Sequence, residues 1–301
     1  MTQTVLILGA SGKIGRASAK AFGEAGWKVR SYQRGTDMTQ AALGADVIVN
    51  GLNPPAYHDW KTIIPQITTQ VIAAAKASGA TVIIPGNVYN FGNCGGVWDE
   101  NTPQRPTTRK GKIRVEMEQR YRQSGVRTII LRAGNFITET PSDDVMGAVF
   151  LRQIKAGKLS HPGASDIPQA YAYLPDWARA AVALAEKRDQ LQGFEDIPFP
   201  GHTFTVLDLK AALEDRLSRD LRLSGFPWGL MRLASPFWEL AREMLEMRGL
   251  WNTPHQLGAT KFHEILPEFQ PTPQERVLIA GLGHQIDPNQ MVGANGIPVG
   301  A

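Results

Sequence analysis

Short runs of aliphatic and β-branched residues alternate with longer segments in which apolar residues recur at helical spacing. The short runs predict buried strands over residues 4–8, 27–32, 45–50, 80–84 and 126–131. The longer segments predict helices over residues 16–25, 63–77 and 113–124. Strands that alternate with helices are typical of a parallel sheet covered by helices on both faces. The pattern therefore predicts the α/β class, with a doubly wound parallel sheet.

A glycine-rich turn joins the first predicted strand to the first predicted helix. It reads Gly-Ala-Ser-Gly-Lys-Ile-Gly over residues 9–15. Glycines permit a tight turn and let the backbone approach a pyrophosphate, while the N-terminus of the helix supplies free N–H groups. Because a second strand follows the helix, the turn predicts a dinucleotide site rather than a turn without a ligand. Its candidate residues are Gly9, Ser11, Gly12, Lys13, Ile14 and Gly15.

The end of the second predicted strand bears on the choice of cofactor. An acidic residue there would bind the adenosine ribose hydroxyls and favour NAD, but the segment over 30–34 reads Arg-Ser-Tyr-Gln-Arg. Arg34 and Ser31 suit a 2′-phosphate, and Lys13 adds a second cation. The sequence therefore predicts NADP, with NAD as the less favoured cofactor. The alternative for Arg34 is an exposed charge at the end of a strand.

Composition excludes several classes of protein. The chain has 301 residues, of which 43% are hydrophobic and 20% charged, as is typical of a globular protein. A formal net charge of +4, spread along the chain, does not suggest nucleic-acid binding. Cys94 is the single cysteine, and the six histidines show no metal-ligand spacing, so we expect neither a disulfide nor a metal.

No apolar run approaches the roughly 20 residues of a membrane span, and the N-terminus does not resemble a signal peptide, so we expect a cytoplasmic protein.

Seven segments resemble the extended or atypical short-chain dehydrogenase/reductases, in particular the NAD-dependent epimerase/dehydratase group. The resemblance implies a Rossmann dinucleotide-binding core over 1–137, to which 172–190 and 200–206 return. A smaller C-terminal substrate-binding part over 138–283 and a flexible tail over 284–301 would follow. It also implies a small-molecule substrate and, from the family's habit of pairing through two long helices, a homodimer as one option. The segments are GASGKIG (9–15), GADVIVN (44–50), VIIPGNVYNFG (82–92), KGKIRVEME (110–118), VRTIILRAGNFI (126–137), AYLPDWARA (172–180) and LGATKFHEILPEFQPTPQE (257–275).

The chain departs from that family in the length of one segment. Only eleven residues, 35–45, separate Arg34 from Asp46, where the family has a helix and a third strand. Eleven residues are too few for both elements. We therefore expect the sheet to lack that edge strand, and Asp37 is a candidate for the family's contact with adenine.

A second departure concerns the residues that carry the family's chemistry. The family uses a Tyr four residues before a Lys, in which the Lys holds the nicotinamide ribose and promotes ionisation of the Tyr, together with a Ser or Thr at a strand end. Lys112 matches the family's Lys, but Thr108 stands at the Tyr position and Pro85 at the Ser or Thr position. Tyr89 is a second phenol at the strand end. The catalytic candidates are therefore Lys112, Tyr89 and Thr108, although an aliphatic hydroxyl is far less acidic than a phenol.

The resemblance also implies further contacts with the cofactor. Asn135 and Phe136 correspond to the family's segment at the nicotinamide carboxamide, and Asn53 and Lys112 complete the candidate set. The main reading is an NADP-dependent oxidoreductase that acts on a small organic carbonyl or alcohol. Two alternatives stay open. A regulator that senses dinucleotide without catalysis would explain the lost Tyr and Ser, and an epimerase or dehydratase acting on a nucleotide sugar would be typical of the family.

Overall fold

The computed structural model describes residues 2–140 and 144–286. The predicted tail lies outside the described residues from position 287 onward. Within these ranges, no helix combines the length and apolar character needed to cross a membrane. The strands are β1 (Thr4–Leu8), β2 (Lys28–Ser31), β3 (Val47–Asn50), β4 (Thr81–Gly86), β5 (Gly96–Trp98), β6 (Thr128–Arg132), β7 (Asn135–Ile137), β8 (Lys158–His161), β9 (Gln169–Tyr173), β10 (Phe194–Pro198), β11 (His202–Phe204), β12 (Arg222–Gly225) and β13 (His255–Leu257).

Within the described ranges, eight α-helices lie between these strands and two more follow β13. They are α1 (Lys13–Glu24), α2 (Met38–Ala42), α3 (Trp60–Ser78), α4 (Arg109–Gln123), α5 (Leu174–Glu186), α6 (Val206–Leu217), α7 (Trp228–Ala234), α8 (Glu239–Met247), α9 (Thr260–Ile265) and α10 (Gln274–Ile279). Each strand and helix predicted from the hydrophobic pattern is present, with ends that differ by a few residues.

The main sheet has six parallel strands in the order β10-β6-β4-β3-β1-β2. Side chains alternate between its faces, so Val5 and Ile7 of β1 enter one core and Leu6 and Leu8 enter another. The first core contains residues of α1 and α5, and the second contains residues of α2, α3 and α4. This arrangement confirms the predicted α/β fold with a doubly wound parallel sheet.

The edge of the sheet at β2 confirms the missing strand. Residues 35–45 contain α2 and no strand, so β2 pairs with β1 alone. Asp37 precedes α2 and caps it, because its Oδ1 accepts hydrogen bonds from the N–H groups of Thr39 at 2.7 Å and Gln40 at 3.1 Å. One turn of capped helix is what eleven residues can form here.

The later part of the chain builds smaller sheets beside the main one. A three-stranded sheet has the order β11-β9-β7, and its buried residues share a third core with α6 and α10. Strand β13 pairs with β5 and so returns to the segment that follows β4. Helices α7 and α8 form a hairpin over 228–247, and α8 contacts both the loop after β3 and the start of α4. This hairpin brings distant carboxylates to the edge where β3 and β4 end.

Candidate functional site at the carboxyl edge of the sheet

The order of the strands reverses between β1 and β3, and ligands of open parallel sheets bind at such a point. Gly9 follows β1 with φ of +78°, and a Cβ on it would lie 3.0 Å from the Gly51 carbonyl oxygen after β3. A Cβ on Gly15 would lie 2.2 Å from the Gly9 carbonyl oxygen. Only glycine fits at these two positions, because the turn packs directly against the backbone around it.

The glycine turn leads straight into the first turn of α1. Gly12 is the N-cap residue, and no side chain makes a capping bond there. The first N–H groups of a helix lack partners within it and carry a partial positive charge. Ser11 and Gly12 are exposed, and Lys13 and Ile14 are half-buried. The candidate residues over 9–15 therefore come together as a cradle of backbone that would suit a pyrophosphate.

The side chains near the end of β2 differ in whether they have hydrogen-bond or ion-pair partners. Arg34 is exposed and makes no hydrogen bond or ion pair with another described residue. The guanidinium of Arg30, in contrast, donates to the Leu43 carbonyl at 3.0 Å, and the Asp37 carboxylate is engaged in capping α2. Arg34 is thus the available cation next to the place where a Rossmann fold holds the adenosine ribose.

Three charged residues spaced four apart share one side of α4: Lys110, Arg114 and Glu118. The helix begins at this point because the Thr108 hydroxyl caps it, accepting from the Gly111 N–H at 3.0 Å. A Cβ on Gly111 would lie 2.4 Å from the Tyr89 carbonyl oxygen, so the first turn of α4 touches the backbone of Tyr89. This contact places the side of α4 that carries Lys110, Arg114 and Glu118 next to the end of β4.

Lys112 lies elsewhere. Residues two apart on an α-helix point about 200° from each other, and Lys112 is exposed whereas Lys110 is 1% exposed. The structure does not bring Lys112 to Tyr89. It brings Lys110 and Arg114 there, and it uses Thr108 as a helix cap. The predicted pair, Thr108 and Lys112, and the observed pair, Lys110 and Arg114, have the same spacing of four residues, but the observed pair lies two positions later in α4.

Arg114 is held between an aromatic face and the loop after β3. Its guanidinium lies 4.9 Å from the ring centroid of Trp60 and donates to the Asn53 Oδ1 at 3.3 Å. Burial lowers the pKa of the Arg114 guanidinium, against the opposing influence of Tyr89, Glu118 and Tyr57. The buried Nε of Arg114 and the buried Nε1 of Trp60 have no acceptor among the described residues. Two neighbouring donors in this position would suit a ligand that is rich in acceptor oxygens.

Tyr89 meets a second phenol. Its hydroxyl oxygen lies 3.2 Å from the Tyr57 hydroxyl oxygen, and its N–H donates to the Asn87 Oδ1 at 3.0 Å. The Trp60 ring packs against both phenols, with centroid distances of 5.3 Å to Tyr57 and 6.5 Å to Tyr89. The predicted catalytic residue Tyr89 is therefore placed with Arg114 and Tyr57.

Lys110 is clamped by two carboxylates of α8. Its ammonium nitrogen lies 2.7 Å from the Glu246 Oε2, contacts the Glu243 carboxylate, and lies 5.1 Å from the ring centroid of Tyr57. Arg109 contacts the same two carboxylates at 3.1 and 3.2 Å. Burial acts to raise the pKa of Glu246, but the hydrogen bond and charge of Lys110 outweigh it and lower that pKa. The Arg242 Nε also lies 3.6 Å from the Glu243 Oε1, so three cations surround the two carboxylates.

Deeper in the fold, Glu118 anchors α4 to the sheet. It pairs with Arg132 of β6 at 2.7 Å, and Arg132 also pairs with Asp196 of β10 at 2.6 Å. Arg132 has no exposed surface. Burial raises the pKa of Asp196, against the pull of Arg132. This triad fixes the rotation of α4 and hence which side of it faces the site.

A cavity of about 170 Å³ with a mixed polar and apolar lining lies beside Tyr89. Hydroxyl, amide and carboxylate groups contribute to its lining. They include Tyr89, Asn93, Thr107, Thr108 and Glu246. Asn135 and Phe136 lie on β7: the Asn135 Nδ2 is buried without a partner in the described part of the chain, and Phe136 packs edge-on against Trp177 at 5.8 Å. No cluster of His, Cys, Asp or Glu that could hold a metal occurs in 2–140 or 144–286.

The sequence matches no protein-family model and no curated protein. The fold matches many solved structures. The UDP-glucuronic acid 4-epimerase from Bacillus cereus, in complex with UDP-glucuronic acid and NAD, is similar with a TM-score of 0.73 at 15% identity, over 92% of this chain and 97% of that chain. The UDP-glucose 4-epimerase from Brucella ovis, in complex with NAD, gives 0.73 at 15% identity, over 94% and 98%. A nucleoside-diphosphate-sugar epimerase from Pseudomonas aeruginosa gives 0.68 at 15%, over 94% and 97%.

The chain has the fold of the nucleotide-sugar epimerases. This confirms the fold that the resemblance to short-chain dehydrogenase/reductases implied. Within this epimerase fold, sequence reasoning missed Lys110, Arg114 and Tyr57. The sequence did contain a signal for Lys110 and Arg114. Met117 and Tyr121 are spaced as the buried apolar side of α4, and helical periodicity places Lys110, Arg114 and Glu118 on that same side.

Proposed function

We propose that this protein is a nicotinamide-dinucleotide-dependent enzyme of the epimerase type that acts on a nucleotide sugar. The observation that carries the proposal is the pair of buried donors without acceptors, Arg114 Nε and Trp60 Nε1, at the sheet edge that also bears the glycine cradle and Tyr89. Phosphate and ribose oxygens would satisfy such donors. Structures of the same fold contain NAD and UDP-glucuronic acid together, which favours a nucleotide sugar over a small carbonyl compound.

Each residue has a role in this proposal. The turn over 9–15 binds the pyrophosphate through its backbone N–H groups. Arg114 and Asn53 contact the ribose next to the reacting ring, and Tyr89 holds or accepts the proton of the reacting sugar hydroxyl. When bound, the nicotinamide dinucleotide supplies a hydride acceptor. Lys112 is too exposed for the role that the spacing predicted, so we assign its ribose contact to Arg114.

The substrate side is formed by later segments of the chain. The buried Asn135 Nδ2 would donate to an oxygen of the substrate, and the polar groups that line the cavity beside Tyr89 would bind hydroxyl groups. Division into a dinucleotide-binding core over 1–137 and a substrate part over 138–283 belongs to this proposal. A homodimer and a cytoplasmic location stay predictions.

For the cofactor, we propose NADP as the preferred form. Arg34 is exposed and uncommitted at the end of β2, and no acidic residue lies within that strand. The similar structures from Bacillus cereus and Brucella ovis contain NAD, so the proposal of NADP rests on Arg34 and on the lack of an acidic residue in β2. A hydrogen-bonded ion pair with a 2′-phosphate contributes about 1.5–3 kcal/mol.

One observation favours a second candidate function. The first two turns of α4 present Lys110 and Arg114 to the site but no Tyr, and the Lys110 charge is neutralised by Glu243 and Glu246. A protein that binds the dinucleotide and turns nothing over would be consistent with that arrangement. It predicts nucleotide binding with no change in any nucleotide sugar.

Calorimetric titration with NADPH and NADH tests the proposal. We expect NADPH to bind more tightly, and Arg34→Ala to weaken NADPH binding by about 10- to 100-fold while NADH binding is unchanged. Lys28→Ala is the matched control, because Lys28 is an exposed cation at the opposite end of β2. UDP-glucose incubated with protein and cofactor is then followed by NMR of its anomeric proton. Binding without an epimer supports the second candidate, and no binding of either nucleotide contradicts both.

A further inference from the structure

We infer that Tyr57 is a positioning residue for Tyr89, and that the two phenols act as one proton-holding unit. The inference rests on the proposed function, since it deepens the role of Tyr89. Its basis is the 3.2 Å contact between the two hydroxyl oxygens, made by residues that lie on different loops after β3 and β4. Nothing in the sequence pattern singled out Tyr57.

The hydroxyl pair lies in a defined aromatic and cationic setting. Trp60 packs against both rings, and the Arg114 guanidinium stacks on Trp60. The Lys110 ammonium lies 5.1 Å from the Tyr57 ring centroid. Arg114 has no carboxylate within ion-pair distance among the described residues, so its charge can stabilise a negative charge that is shared by the two phenols.

Other charged groups surround the pair, and they divide into two sets. Glu243 and Glu246 of α8 face Lys110 and neutralise it, with Arg109 at the same carboxylates. In the loop between β3 and α3, the His58 ring pairs with the Glu239 carboxylate. In both sets, the cations and the carboxylates pair with one another and not with the phenols. Among the described residues of this region, Arg114 is therefore the cation without an ion pair, and the negative groups that act on it are Glu118 and the two phenols.

Backbone strain in the loop supports a specific role for Tyr57. Three residues that are not glycine have left-handed backbone: Ala56 with φ of 51°, Tyr57 with 61° and Asp59 with 40°. Such conformations are unfavourable for residues other than glycine and persist where the surroundings impose them, which is common at functional sites. The loop is held by the His58–Glu239 contact at 2.8 Å and by the buried Trp60. The strained turn presents the Tyr57 hydroxyl to Tyr89.

In the proposed reaction, Tyr89 exchanges a proton with the substrate hydroxyl while Tyr57 keeps its own proton. In the alcohol-to-ketone half of an epimerisation, the substrate hydroxyl gives its proton to the Tyr89 oxygen in its phenolate form, and an oxidised nicotinamide dinucleotide held by the turn over 9–15 and by Arg114 would supply the acceptor for the hydride of the same carbon. Before that step, the Tyr57 O–H donates a hydrogen bond to the phenolate and keeps its own proton. Reduction of the ketone reverses both movements, so Tyr89 returns the proton.

NMR of the full chain labelled with 13C at the Cζ atoms of its six tyrosines tests the pairing without turnover. We expect Tyr57→Phe to move the Tyr89 resonance, which Tyr89→Phe identifies. Tyr32→Phe is the control, because the Tyr32 hydroxyl donates to the Thr36 carbonyl near the β2 edge. An unmoved Tyr89 resonance in Tyr57→Phe overturns the inference.

Kinetics with UDP-glucose and the bound cofactor provide the second arm. We expect Tyr57→Phe to lower kcat by about 10-fold or more with little change in KM, and the double variant Tyr57→Phe/Tyr89→Phe to be no slower than Tyr89→Phe alone. Multiplicative losses in the double variant overturn the single-unit interpretation. Failure of the wild type to bind NADPH or NADH overturns the proposed function and this inference with it, whereas intact binding with uncoupled phenols overturns this inference alone.

Discussion

Lys110 and Glu246 form an ion pair across 136 residues of sequence, with 2.7 Å between the Lys110 Nζ and the Glu246 Oε2. The pair joins the start of α4 to α8 directly above the cavity beside Tyr89. Because the Lys110 side chain is 1% exposed, its charge has been removed from water and depends on its carboxylate partners. The contact therefore controls both the stability of this region and the charge around the phenols.

The first prediction concerns that ion pair. Lys110→Met leaves Glu243 and Glu246 without their buried partner, and we expect a loss of about 3 kcal/mol in the free energy of unfolding. The loss is at the lower end for a buried pair, because Arg109 still contacts both carboxylates. Lys112→Met, on the exposed side of the same helix, should change stability by less than about 0.5 kcal/mol. Urea unfolding measures both, and equal losses would contradict the burial of Lys110.

A second prediction concerns the glycine cradle. Gly15→Ala places a methyl group 2.2 Å from the Gly9 carbonyl oxygen, so the turn or α1 must shift. We expect destabilisation of about 1–3 kcal/mol together with loss of nucleotide binding. Gly23→Ala is the control on the same helix, because its nearest neighbour would lie 3.9 Å away, and it should stabilise by roughly 0.5–1 kcal/mol. Thermal unfolding and calorimetry would separate the two, and an unchanged Gly15→Ala variant would refute the packing.

The pH dependence of stability has one identifiable source in His255. Burial lowers the pKa of His255 from 6.5 to about 4, against the hydrogen bond to the Thr253 carbonyl, and the ring stacks on Trp98 at 4.3 Å. The unfolded chain takes up a proton below pH 6.5 and the folded chain only below about pH 4, so stability is complete above pH 6.5 and is lost as pH falls towards 4. The loss amounts to about 3 kcal/mol.

His255→Gln tests this assignment. It removes the titrating ring but keeps a hydrogen-bond donor, so its free energy of unfolding should fall less between pH 7 and pH 4.5 than that of the wild type. His263→Gln removes an exposed histidine and should keep the wild-type slope. Identical slopes in all three proteins would assign the pH dependence to other groups.

A further prediction concerns the contact between the loop and α8. The hydrogen bond to Glu239 raises the pKa of His58 above 6.5. Because the pair also needs an ionised Glu239, whose pKa the His58 hydrogen bond lowers from 4.5, its contribution is complete between pH 4.5 and pH 6.5 and is lost as pH rises through the raised pKa of His58. Amide-exchange protection of α8 should therefore decrease over that range in the wild type and vary little in His58→Gln. Protection that is independent of pH in the wild type would show that the pair does not hold the hairpin.

Local features of the sequence were sufficient for much of the fold. The strands of the main sheet are continuous apolar runs because they are buried on both faces, and such runs can be recognised without knowing their partners. The glycine turn could be recognised for the same reason, since its backbone conformation and its place before α1 are set by neighbouring residues. The eleven residues between Arg34 and Asp46 are too few for a helix and an additional edge strand together, so the lack of that strand followed from length.

The active side of α4 could not be assigned in this way. Spacing shows that Lys110, Arg114 and Glu118 share a side and that Lys112 and Glu116 share another, but not which side meets the sheet. The Glu118–Arg132–Asp196 triad decides the rotation, and its members come from three separate elements.

The sequence by itself determined the α/β fold, the glycine cradle and the absence of an edge strand, because each depends on contiguous residues or on chain length. Only the tertiary structure decided the composition of the site. Tyr57 reaches Tyr89 through a strained loop, and the carboxylates of Glu243 and Glu246 reach Lys110 from more than 130 residues away. Contacts of that kind depend on how helices dock on the sheet, and no local pattern records them.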